Sequence, residues 1–460
     1  MTRTSFIRNL LSVVAVTATA VLALSACTAS TPEPKPTTSK TTDAAPPATI
    51  PSTPVGERMQ TIVDLLNQEA DLAEADLEGL FDSTFTDAVP LPDVVQLLNV
   101  QIRPAQPIVI TAYEGSETQA VAQASGSVGE PFAIQLSLTS EGLIDGFALT
   151  PATMPDPAQS LGEVQERLDA LDLQYTVTRT DPDGTSAVLL EKDADKAAPM
   201  ASMFKLYVLL AVHQQVAAQK LSWDNTLGVT DELRSLPSGE LQNEPTGTEV
   251  TVRDAAIKMI SISDNTATDM LIDRVSRGAV EAAVVKAGHH DPDALRPFLM
   301  TREMFMLAFG SDDAVQQQWA AASVDERRAI LENLTIDLDS IDLANISTDP
   351  FWQEGLDWFA TPNDVAAVHA ALAKIDDPAV VEALTTNPGV MVDAATWPQV
   401  AFKGGSSMGV VSGSWHAVAD DGTTLTVVVM ASGDDAEAVA MGQIELFSLV
   451  TDIFTLVGTE

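Results

Sequence analysis

Residues 200–212 read MASMFKLYVLLAV, with Ser202 three positions ahead of Lys205 and seven uncharged residues behind that lysine. The apolar run has the composition of a buried helix, so an amine placed at its head loses solvent. A helix opening at Ser202 puts the hydroxyl and the amine on one face, a turn apart. The preceding Ala-Ala-Pro-Met-Ala has no helical pattern, which predicts Ser202 at a helix N-terminus, where unpaired N–H groups and the helix dipole favour developing negative charge. Burial lowers the pKa of a lysine, and a neutral amine can take a proton from a neighbouring hydroxyl. Taken alone the spacing is common, and a lysine that merely stretches out of a buried helix reads the same way.

Two further stretches give the spacing its meaning. Ser263-Asp264-Asn265 lies 61 residues after Ser202, within MISISDNTATDML, and Lys403-Gly404-Gly405-Ser406 follows a predicted strand near the C-terminus. In that order the three make the set S-x-x-K, S-D-N, K-[T/G]-G of penicillin-recognising serine enzymes. Over roughly Pro155 to Glu460 the sequence thus resembles the class A β-lactamase and DD-peptidase superfamily. Lys220-Leu221-Ser222-Trp223, Thr251-Val252-Arg253-Asp254 and Thr361-Pro362-Asn363-Asp364 extend the resemblance. The last also reads locally as an N-cap, a proline at the first helical position and an acid at the third.

The resemblance implies a role for each residue. Ser202 is the acylated nucleophile, Lys205 its general base, and Ser263 a proton relay to the leaving group. Asn265 holds a substrate amide and orients Lys205, while Asp264 fixes its loop. Lys403 attracts a substrate carboxylate, Gly404 and Gly405 let substrate approach the strand edge, and Ser406 binds carboxylate through its hydroxyl. The N–H groups of Ser202 and Ser406 form the oxyanion hole.

One departure from the family matters most. The E-x-x-L-N motif that class A β-lactamases carry about 35 residues beyond S-D-N is missing. Glu303, in LRPFLMTRE, stands in that neighbourhood either as a substitute base or, the reading the residues favour, as a capping or ion-pairing group. Ser263 to Lys403 spans 140 residues, longer than the usual interval, and the alternation around Ala320 to Leu334 predicts extra helices within Ser311 to Phe351. The long interval, Phe402-Lys403-Gly404-Gly405-Ser406 and a small front domain are together similar to a subgroup that includes the lactamase-like esterase of clavulanic acid biosynthesis. Efficient lactam turnover is not implied.

Gly405-Ser406-Ser407-Met408-Gly409 fits G-x-S-x-G, but that elbow needs a helix after its serine, and VVSGSWHAVA reads as strand. His213, His289, His290, His369 and His416 show no metal-ligand spacing; His289-His290 reads as a solvated turn, and no metal or cofactor is expected. Met259, Met270, Phe305 and Met306 read as core.

Outward from the motifs, the N-terminus carries Arg3 and Arg8, an apolar run from Leu10 to Leu24, and Leu24-Ser25-Ala26-Cys27. This predicts a secretory signal over 1–26. The stretch resembles a bacterial lipobox, which implies lipidation of Cys27, the only cysteine, leaving no thiol for disulfides or metals. Residues 27–56 hold seven prolines between Thr28 and Gly56 and read as a solvated tether. Residues 57–152 predict a small α+β domain: helices at Met59 to Leu72, with Ile62, Leu65 and Leu66 on one face, and around Val94 to Val100, then strands within 108–149. It is similar to the nuclear transport factor 2-like fold and offers no cluster of ionisable groups.

Residues 155–460 predict strands at both ends around a helical middle, hence one sheet assembled from the two termini with helices on its faces. The expected fold class is α/β (α+β): a serine β-lactamase/DD-peptidase-like three-layer domain behind a small α+β module. A formal charge of -41 with 45% hydrophobic residues excludes wholesale disorder and basic-patch binding of nucleic acid or anionic lipid. The expectation is a monomeric, extracytoplasmic, lipid-anchored serine hydrolase acting on a small β-lactam, ester or peptidoglycan-derived substrate. Esterase, DD-carboxypeptidase and non-turnover binding variants of the scaffold stay open.

Overall fold

The structure, a computed structural model, describes residues 48–128, 131–139, 141–151, 155–236, 238–341 and 349–458. The signal segment, Cys27 and most of the tether lie outside the described residues. The chain divides into two compact units, Met1–Met154 and Pro155–Glu460.

In the first unit, helix α1 (Pro54–Asn67) opens with Thr53 as N-cap, its hydroxyl accepting from the Gly56 N–H at 3.2 Å, and a proline in the first turn. Helix formation therefore begins inside the stretch read as tether, and Ala48 already donates to the Ile110 carbonyl at 2.8 Å. The tether boundary at residue 56 is corrected to before Ala48, because capping and strand contacts outweigh proline content. The helix stops at Asn67 rather than Leu72: the Asn67 amide pairs with both the N–H and the carbonyl of Ile108, at 2.7 and 2.8 Å. Its buried face is Val55, Met59, Ile62, Val63 and Leu66, so Val63 takes the place expected of Leu65. Strands β1 (Val109–Gly115), β2 (Gln119–Ser125), β3 (Phe132–Leu138) and β4 (Ile144–Pro151) form an antiparallel meander. Alternate residues such as Ala120, Ala122 and Ala124 face the helices.

The second unit begins with α2 (Leu161–Ala170), then β5 (Gln174–Thr180) and β6 (Ser186–Lys192). A helical middle includes α3 (Lys205–Ala217), α4 (Val252–Ser261), α5 (Asn265–Val275) and α6 (Pro362–Leu372). The unit closes with β7 (Gln399–Ser407), β8 (Val410–Val418), β9 (Thr424–Ser432) and α7 (Gln443–Gly458). The five-stranded sheet has the order β7-β8-β9-β5-β6, all pairs antiparallel, so the two chain ends meet where Thr424–Met430 pairs with Gln174–Thr180.

Alternation along β9 makes the three layers. Leu425, Val427 and Val429 face a core with α2 and α7, while Val428 and Met430 face the helical core of α3 to α6. Met259, Met270 and Met306 are buried in that unit. The surplus between the second and third motifs does contain helices, Asp313–Ala321 and Val324–Asn333. They are anchored by buried Trp319, whose indole N–H donates to the Gly355 carbonyl at 3.1 Å.

Candidate active site

Three segments converge. Ser202 does not open an α-helix as expected: Ala201–Phe204 is a 3-10 turn, and α3 starts at Lys205. Ala201, the first residue of that turn, is held at φ +44, in the left-handed region. The turn still sets Lys205 at the head of the buried helix, completely inaccessible to solvent.

The Lys205 Nζ donates to the Ser263 carbonyl at 2.6 Å, to Ser263 Oγ at 3.0 Å and to Asn265 Oδ1 at 2.7 Å. Ser202 Oγ makes no hydrogen bond to it in this state. Ser263 sits at φ +59, which turns its hydroxyl inward, and Ser238 Oγ donates to its carbonyl at 2.7 Å. Asp264 is the N-cap of α5: it accepts from Ala267 N at 2.7 Å and also from Glu240 N and Leu241 N at 2.7 and 2.9 Å, pinning the neighbouring loop. Asn265 spends its other end on the Leu236 carbonyl at 3.1 Å.

From the sheet side comes Lys403 on β7, which among the described residues is an edge strand paired with β8 alone. Its Nζ donates to Ser263 Oγ at 3.0 Å and to the Gly404 carbonyl at 2.7 Å. The Ser263 hydroxyl is therefore shared by two buried amines. Burial first, and the Lys403 charge second, hold the Lys205 pKa well below the ordinary lysine range. Burial alone lowers Lys403 to about 7. Near neutral pH the two amines need not both be cations, so the hydroxyl can pass a proton between them.

Gly405 serves a closer neighbour than substrate. A Cβ there would lie 2.5 Å from the Met200 carbonyl oxygen and 2.8 Å from Ser202 N. The missing side chain lets β7 abut the Ser202 turn. At Gly404 the same space is taken by the Phe402 ring. Ser406 is exposed at the strand edge.

Glu303 is elsewhere engaged. Its carboxylate accepts from Arg277 at 2.6 and 3.0 Å and caps the helix Thr301–Phe305 through Met300 N at 2.8 Å. That is the capping and ion-pairing role, not a water-activating one. His289 is buried rather than in a solvated turn, because its ring spans the Phe359 carbonyl at 3.0 Å and Asp291 N at 3.1 Å. With His290 and Asp364 it forms a compact group of potential metal ligands. The Asp364 carboxylate is already taken by Thr361 and by the His290 ring at 2.6 Å, and both His289 nitrogens are occupied.

Sequence reasoning missed Asp357 and Ser412. Ser412 Oγ donates to the Met200 and Gly405 carbonyls at 2.9 and 3.2 Å. Asp357 accepts from Ala201 N at 2.8 Å. Neither sits in a local pattern, since their partners are distant in the chain.

The sequence profile of the β-lactamase enzyme family matches residues 163–382, and that of the ORF 12 gene product N-terminal family matches residues 50–144. No curated protein matches the chain. Among solved structures the chain is similar to a β-lactamase from Sphaerobacter thermophilus, 20% identical over 64% of this chain and 97% of that one, with a TM-score of 0.44. It is also similar to PBP-A, 18% identical over 66% of this chain and 99% of that one, TM-score 0.41. A β-lactamase from Chitinophaga pinensis is 20% identical over 64% of this chain and 98% of that one, TM-score 0.41. The segment matched by the β-lactamase enzyme family profile, residues 163–382, is the one that bears Ser202, Lys205 and the Ser263-Asp264-Asn265 turn, and over it the chain is similar to that family.

Proposed function

We propose that the second unit is a serine hydrolase that forms an ester on Ser202 with β-lactams or related carboxylate-bearing amides and esters. The observation that carries this reading is the Ser263 hydroxyl held 3.0 Å from both Lys205 Nζ and Lys403 Nζ. With its pKa depressed, Lys205 takes the Ser202 proton as Oγ attacks the carbonyl carbon. The N–H groups of Ser202 and Ser406 stabilise the oxyanion. Ser263 then delivers a proton to the leaving nitrogen or oxygen, and Lys403 holds the substrate carboxylate.

Deacylation favours a second reading. Glu303 is committed to Arg277 and the Met300 N–H, so the acyl group on a lactam-modified Ser202 lasts, and the protein acts as an esterase, a DD-carboxypeptidase or a stalled acceptor. The reading includes secretion and a lipid anchor on Cys27, supported by the sequence of residues 1–27. It treats the protein as a monomer.

Purified protein incubated with a chromogenic cephalosporin, a p-nitrophenyl ester or a D-Ala-D-Ala peptide, followed by turnover and intact mass, separates these outcomes. The expected result is a mass increase abolished by Ser202→Ala and slowed about 10²- to 10⁴-fold by Lys205→Ala. A Lys205→Ala protein acylating at the parent rate contradicts the assigned base.

A further inference from the structure

The Asp357 carboxylate is buried, and among the described residues no cation pairs with it. Oδ1 accepts from Ala201 N at 2.8 Å and from Trp358 N at 2.7 Å, and Oδ2 accepts from Ser407 Oγ at 3.0 Å. Ala201 immediately precedes Ser202, and Ser407 immediately follows Ser406. One side chain therefore grips the residues adjoining both backbone N–H groups assigned to the oxyanion.

Neighbouring contacts tighten the same clamp. Met200 N donates to the Trp358 carbonyl at 2.8 Å, and the Trp358 ring stacks on Phe204 with centroids 3.7 Å apart. The φ of +44 at Ala201 is one an alanine leaves unless held. An unpaired buried carboxyl is a burden on folding, and burial pushes its pKa up to about 7. Its position accounts for its presence.

We propose that Asp357 is a positioning residue for the acyl-transfer site, setting the separation of the Ser202 and Ser406 N–H groups without touching substrate. The proposal rests on the Ser202 reading given above. It makes the segment before α6 part of the working site, although none of the three motifs lies there.

The test uses the full chain with Asp357→Ala, Asp357→Asn and Ser407→Ala, each assayed for acylation by a chromogenic cephalosporin and by a p-nitrophenyl ester across concentration. Thermal midpoints are measured in parallel. Asp357→Ala is expected to lower the limiting acylation rate about 10²- to 10³-fold, the effect of losing one oxyanion donor, while half-saturation moves by less than about threefold. Asn keeps the acceptor for the two N–H groups and can donate to Ser407 Oγ, so Asp357→Asn is expected to stay within about fivefold of the parent. Ser407→Ala is expected to lose about tenfold with little change in midpoint, and it carries the test should Asp357→Ala not fold.

Parent-like acylation by a folded Asp357→Ala or by Ser407→Ala overturns the proposal. So does a loss in Asp357→Ala that disappears on cooling well below its midpoint, which would mark a purely structural role. A parent chain that takes no acyl group on Ser202 removes the hydrolase reading and this proposal together; a parent that acylates beside an equally fast Asp357→Ala removes the proposal alone.

Discussion

Lys205 and Lys403 are each all but fully buried, yet the functional reading asks opposite things of them. Lys205 must be neutral to act as base, whereas Lys403 must be charged to hold a carboxylate. As pH rises, Lys205, depressed by burial and then by the Lys403 charge, loses its proton and the acylation rate climbs. Above about 7 Lys403 loses its own proton and the pull on an anionic substrate fades. The second-order acylation constant for a carboxylate-bearing cephalosporin is therefore expected to be bell-shaped, with its falling limb near the Lys403 value. An uncharged p-nitrophenyl ester should show the rising limb alone. Identical profiles for the two would detach Lys403 from carboxylate binding.

Among the secondary-structure elements, caps rather than helix propensity position the site. The Asp264 cap starts α5 and holds the 240–241 loop, so Asn265 meets Lys205 from a rigid helix end. The short helix Thr301–Phe305 is secured in the same manner by Glu303, with Arg277 on its other side. Glu303→Gln should thus lower stability by about 1 to 3 kcal/mol, the cost of unpairing a mostly buried partner, seen as a drop in the denaturation midpoint. Acyl-enzyme breakdown, followed by intact mass, should be unchanged; slower breakdown would return Glu303 to the role of water activator. Local reading named the capping role of Glu303 but misjudged the start of α3. The 3-10 turn at Ser202 starts at Ala201, whose N–H donates to Asp357, 156 residues further along the chain, and periodicity carries no trace of such a partner.

On the scale of the molecule, 65 acidic against 24 basic residues leave self-repulsion uncompensated. Raising ionic strength from about 0.01 M to about 1 M shortens the screening length from about 30 to about 3 Å, so the thermal midpoint should rise by a few degrees. A midpoint flat or falling with sodium chloride would mean the charges are locally paired. The sheet of the second unit joins strands from its two ends, Gln174–Thr180 and Thr424–Ser432. Tyr175 and Val177 alternating with polar residues announced the first of those strands, and the largely apolar run from Leu425 to Met430 the second. The front meander was legible in the same way, while the start of α1 was hidden by the prolines that precede it.

From its own order of residues this chain determined its elements, its layer pattern and three of the groups that meet at Ser263, because helix and strand periods and the spacing Ser202–Lys205 are short-range properties. Tertiary structure alone decided that Ser263 Oγ is shared by two amines, that Gly405 makes room for the Ser202 turn, that Glu303 faces Arg277, and that Asp357 ties Ala201 to Ser407. Each of these joins residues far apart in the chain, and only the assembled sheet with its packed helices brings them within bonding distance.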